Sequence, residues 1–117
     1  MTDYPKLNVE LLDKTLDYIE AYPEEHDQSA WICGTKMCFA GHALCQAGHT
    51  LASSASLAEC DKVELDGKKV WFAEVPELAS DELGLTHREM TILFYQAITL
   101  HDVRRTVENI KDGFYRP

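Results

Sequence analysis

Long apolar runs, basic charge and closely paired cysteines are all scarce in this 117-residue chain. No apolar stretch reaches the roughly 18 residues that span a bilayer, so no membrane partner is expected. The start, Met1-Thr2-Asp3-Tyr4-Pro5, lacks the basic and apolar regions of a secretory signal and predicts a cytoplasmic protein. Eleven Lys and Arg stand against 20 Asp and Glu, a net charge of −9. Without clustered cations to displace counterions from a duplex, direct nucleic-acid binding is not expected. The four cysteines form no C-x-x-C pair, and in a reducing compartment they serve packing, metal binding or catalysis rather than structural disulfides.

Hydrophobic residues make up 45% and charged residues 26%, the proportions of an ordinary globular protein. The length suits a single domain, residues 1–117, with one core and no cofactor needed to fold. Charge is unevenly spread. Residues 1–27 hold eight acids against Lys6 and Lys14, whereas Lys36 is the one charged residue of 28–58.

Asn8 is placed to cap a helix over 9–22, in which Val9, Leu12, Leu16 and Ile19 recur at helical spacing until Tyr22-Pro23. Its outer face carries Glu10, Asp13, Lys14, Asp17 and Glu20. A second helix is expected over 36–47, with Thr35 as N-cap and Gly48 beyond its end. His42 is the only polar side chain between Met37 and Leu44, so this helix should be buried nearly all round and act as the hub of the fold.

Asp66-Gly67 between alternating residues predicts a two-residue hairpin pairing Leu65 with Lys68, Glu64 with Lys69 and Val63 with Val70. Pro76 and Gly84 bracket a short helix over 76–83. Thr86 and Glu89 form a capping box for a helix over 86–97, and Thr99 opens a last helix running to about Lys111. The expected fold is α+β: a mainly helical single domain of about five helices with one two-stranded hairpin packed on them.

The densest chemistry lies in Trp31, Cys33, Gly34, Thr35, Cys38, Ala40, Gly41, His42 and Ala43. A zinc site on Cys33, Cys38 and His42 lacks a fourth protein ligand, and Cys45 is about 10 Å along the helix from Cys38. A thiol catalyst would use Cys38 near a helix start with His42 one turn on, but a buried cysteine is a poor nucleophile. The expectation is a structural motif with no catalytic residue, no metal and no cofactor, in which Cys38 and Cys45 are small core residues and His42 is a satisfied buried histidine.

The motif Trp31-x-Cys33-Gly34-Thr35-x-x-Cys38-x-Ala40-Gly41-His42-Ala43 resembles that of small uncharacterised proteins encoded by bacteriophages of mycobacteria and related actinobacteria. The resemblance runs from about Leu7 to Ile110, and tryptophan often stands at the position of His42. It implies a phage protein expressed in the host cytoplasm and supplies no catalytic residue. The leading expectation is a non-enzymatic accessory protein that binds a host protein and alters host physiology or growth, with Asp13, Asp17, Glu20, Tyr18 and Tyr22 as the partner surface. The alternatives are an acidic DNA mimic that inhibits a host nucleic-acid-binding protein, and a small zinc or thiol-redox protein centred on Cys33, Cys38 and His42. A homodimer is compatible with all three.

Overall fold

Helix α1, Val9–Ala21, begins where expected: the Asn8 side chain accepts from the Leu11 N–H at 3.1 Å. The computed structural model describes residues 4–26, 38–53 and 62–116. Leu11, Leu12, Leu16 and Ile19 of α1 point inward, and Tyr22 leaves the helix at φ −130° and ψ 62° ahead of Pro23, outside the helical region that a following proline disfavours.

Helix α2, Phe39–Gln46, buries every residue from Phe39 to Leu44. It packs on α1, on α3 (Val75–Leu83), on the first strand and on the turn Ile92–Gln96, and is the hub that its composition predicts. It starts later than the expected residue 36. Cys38 has extended backbone, φ −76° and ψ 178°, and is itself the N-cap position. The proposed cap, Thr35, lies outside the described residues.

Strands β1 (Leu51–Ser53), β2 (Lys62–Leu65) and β3 (Lys68–Trp71) form an antiparallel sheet in that order. The β2–β3 register is the one the turn predicts, with Leu65 opposite Lys68 and Val63 opposite Val70. Asp66 and Gly67 adopt φ 53° and 83°, the left-handed pair that a tight hairpin turn matching strand twist requires. β1 was expected only as a connection. It pairs Leu51 with Leu65 and Ser53 with Val63. Val63 is fully buried, and Leu51, Leu65 and Val70 rest on the core, which anchors the sheet to the helices.

Helix α3 ends at Gly84, φ 70°. A Cβ at Gly84 would run into the Lys6 carbonyl oxygen, so a glycine is needed both for its conformation and for the close passage of the N-terminal segment. Helix α4, His87–Thr91, opens with the Thr86–Glu89 capping box. The expected helix over 86–97 then changes winding: Ile92–Gln96 is a π-helical turn closed by the Ala97 N–H on the Ile92 carbonyl at 3.0 Å. Periodicity does not reveal it, because Met90, Leu93, Phe94 and Ala97, all buried, stand at the three- and four-residue spacing of an ordinary α-helix. Helix α5, Leu100–Lys111, carries a second capping box, Thr99 with Asp102, and buries Val103, Val107 and Ile110. The described residues thus form a mainly helical α+β arrangement of five α-helices with the sheet on one side. Among them no helix is long and apolar enough to cross a membrane.

Candidate functional site

Three of the residues singled out by sequence meet in one cluster. Tyr22-Pro23 ends α1 and turns Pro23–Glu25 into a single 3₁₀ turn, so Glu25 folds back over α1 and α2. Its carboxylate accepts from the Tyr18 hydroxyl at 2.9 Å. Its carbonyl lies 2.9 Å from His42 Nε2. A carbonyl only accepts, so Nε2 carries the proton. The Tyr18 ring lies 4.9 Å from that of Tyr22 and 5.6 Å from that of His42, and His26 adds a fourth ring 6.1 Å from His42. Tyr18 resists ionisation because its hydroxyl is held by the Glu25 carboxylate. His42 is therefore a satisfied buried histidine.

Cys38 is completely buried at the start of α2, and Ala40, Gly41 and Ala43 are buried beside it. Cys45 departs from the core position expected of it. It is half-buried, and desolvation pushes its thiol pKa up against a backbone N–H from Leu51. Both effects of burial, a shielded Cys38 and a less acidic Cys45, run against nucleophilic chemistry. Trp31, Cys33, Gly34, Thr35 and Cys60 lie outside the described residues. Among the described residues no three His, Cys, Asp or Glu side chains converge on a metal position.

The acidic face of α1 is partly answered from within the molecule. Lys111 Nζ reaches Asp13 at 2.8 Å and Arg104 reaches Glu20 at 3.3 Å, both from α5. Asp17 is exposed on the outer surface, and Tyr22 is exposed at the helix end.

Two charge assemblies and one groove escaped the sequence reading. His49 Nδ1 lies 2.7 Å from Asp66 Oδ2, and Nε2 lies 3.0 Å from Glu82 Oε1. With a carboxylate on each nitrogen both must donate, so the ring is an imidazolium clipping the hairpin turn to the end of α3. Elsewhere Glu89, fully buried, accepts from Arg116 Nε at 3.0 and 3.1 Å and from Nη2 at 2.9 Å. Arg116 also donates to the carbonyls of Pro5 and Gly84, at 2.9 and 2.8 Å. The only local signals were Glu89 as a cap residue and Asp66 as a turn residue. Their partners are 27 and 17 residues away.

The groove runs along α5. Asp102, Arg105, Thr106 and Asn109 share one face of that helix, opposite Ile92, Gln96 and Ala97 of the π-helical turn, with Phe114 and Tyr115 at one end. Its volume is about 410 Å³, within the span of ligand clefts, about 300–1,000 Å³. Phe114 is 72% exposed at this end.

The described residues together define a mainly helical α+β fold with a partly exposed aromatic–histidine cluster around the buried His42 and an open groove. Beyond that class no kinship can be assigned, since no family model, curated protein or solved structure matches the chain.

Proposed function

We propose that this protein is a non-enzymatic binding module that engages another protein, and that it acts as a phage accessory on a partner in the host cytoplasm. The phage setting rests on the motif around Trp31–Ala43. The binding role rests on one observation: the open groove along α5, with the exposed Phe114 ring at its rim. Large apolar side chains held in water at the edge of a polar groove are the usual anchors of protein interfaces.

The groove supports this role better than the acidic face of α1 does. Asp13 and Glu20 are already held by Lys111 and Arg104, which also leaves fewer bare carboxylates for DNA mimicry. The test is affinity capture from a mycobacterial lysate, read by mass spectrometry, with three baits: the native chain, Phe114→Ala and Asp17→Lys. The expected result is one stoichiometric protein that is lost with Phe114→Ala and kept with Asp17→Lys. Loss with Asp17→Lys alone would return the partner surface to α1. Absence of any partner, with one zinc per chain, would overturn the binding role in favour of metal chemistry.

A further inference from the structure

We infer that the α5 groove takes an acidic protein segment bearing an apolar anchor. The inference rests on the binding role proposed above and adds the chemistry of the ligand. In a chain of net charge −9 two arginines stand at this surface without an acidic partner among the described residues. Arg105 lines the groove, and Arg88 with His87 lines a neighbouring depression that shares Ile92 and Gln96 with it. Neither Arg88 nor Arg105 meets a carboxylate among the described residues, whereas Arg104, Lys111 and Arg116 all do.

The nearby acids make no ion pair with the two guanidinium groups among the described residues. Glu89 is turned inward to Arg116. Asp102 is ionised, its pKa held below the usual carboxylate value first by the Thr99 backbone N–H, and it is spent on the N–H groups of Thr99 and Ile98, at 3.3 and 3.4 Å, rather than on an ion pair with Arg105. A segment lying across Ile92 and Gln96 therefore meets an unpaired guanidinium on each side, suited to bidentate capture of carboxylates.

The remaining lining fits a peptide. Gln96 presents a carboxamide able to pair with a main chain, Asn109 keeps its carbonyl oxygen for one while its Nδ2 donates to the Tyr115 hydroxyl at 3.2 Å, and Ile92 and Phe114 offer apolar contact. From Asp102 to Asn109 the groove face is about 10 Å long, the reach of about three extended residues. A nucleic acid is disfavoured because the molecule's overall charge repels a polyanion at long range, while a short acidic segment meets mainly the local cations. The π-helical turn forming the opposite wall is a winding that is frequent at functional sites.

The experiment uses the full chain, isotope-labelled, titrated with a nine-residue peptide alternating glutamate with phenylalanine and leucine, and with its lysine-for-glutamate counterpart. The expected result is saturable amide shifts at Gln96, Arg105 and Asn109 with the acidic peptide only. Binding should weaken at least tenfold in R105E, and less in R88E. Both substitutions lie on the surface, and circular dichroism confirms that the variants fold. Equal binding of the lysine peptide, affinity unchanged in R105E, or no shift at millimolar peptide overturns the inference. So does sedimentation showing that a second copy of the chain fills the groove. If the acidic peptide fails while capture from lysate still depends on Phe114, the binding role stands and the acidic ligand falls.

Discussion

Glu89 with Arg116, and His49 with Asp66 and Glu82, each join distant parts of the chain through charge, but one assembly is dry and the other wet. Glu89 is fully buried and the Arg116 side chain is 18% exposed, while His49, Asp66 and Glu82 are 30%, 49% and 42% exposed. Both carboxylate oxygens of Glu89 accept, Oε1 from the Thr86 N–H and from Arg116 Nε and Nη2, and Oε2 from Arg116 Nε. The contrast separates a contact that locks the chain ends from one that only biases the position of the sheet. A buried pair deprived of one member leaves a charge without water or partner, whereas a surface pair falls back on solvent.

The largest effect is therefore expected at the dry assembly. Glu89→Ala should cost about 3 kcal/mol and lower the melting temperature by roughly 10 °C, because it removes both a helix cap and the counter-charge of Arg116. A loss no greater than that of a His49 variant, by thermal unfolding, would break the comparison. Gly84→Ala tests the same junction without touching its charges. The φ of 70° and the Lys6 carbonyl in the path of a Cβ should together cost about 2–3 kcal/mol. Adding Glu89→Ala to it should give less than the sum of the two losses, since both disturb the seat of Arg116.

What could be read from the sequence follows from how far apart the partners are. Asn8 with Leu11, Thr86 with Glu89 and Thr99 with Asp102 are three residues apart, and each cap is where the residue pattern puts it. The hairpin register was legible because Asp66 and Gly67 admit few other turns. The start of α2 was not, because Cys38 is extended, a choice that helical periodicity from residue 36 onward does not display. β1 has three residues, too few for alternation to show. Of the candidate site, Tyr18, Tyr22 and His42 converge, but through Glu25, whose main-chain oxygen rather than its side chain meets His42. Backbone acceptors carry no residue signature. The groove depends on a π-helical winding that leaves the apolar pattern unchanged.

At the wet assembly the effects are smaller and sensitive to salt. His49→Gln should lower stability by no more than about 1 kcal/mol at low ionic strength, and the difference should shrink as salt is added. Asp66 also accepts from the Thr50 N–H at 2.8 Å and its own N–H donates to the Thr50 carbonyl. The turn should therefore survive loss of the imidazolium, and the hairpin amides should keep their shifts in the variant. A loss matching that of Glu89→Ala would mean that the sheet depends on the clip as the chain ends depend on Arg116.

The smallest effect has the most specific shape, because pH acts on the two sides of the clip in opposite directions. The hydrogen bond to Glu82, followed by that to Asp66, raises the His49 pKa above 6.5. The contribution of His49 to stability is then fully present below 6.5 and is lost as pH rises through the raised value. Asp66 titrates below 3.8, held down first by His49 and then by Thr50, so its contribution is present above 3.8 and is lost as pH falls through the lowered value. The stability difference between the native chain and His49→Gln should therefore be greatest between about pH 4 and 6.5, fading slowly above neutrality and again in strong acid. Denaturant unfolding at a series of pH values, at constant ionic strength, gives this curve directly. A difference that grows from pH 6 to pH 9 would mean that the ring is held neutral, with only one nitrogen donating, and the clip would then be an ordinary hydrogen bond rather than a charge-assisted one.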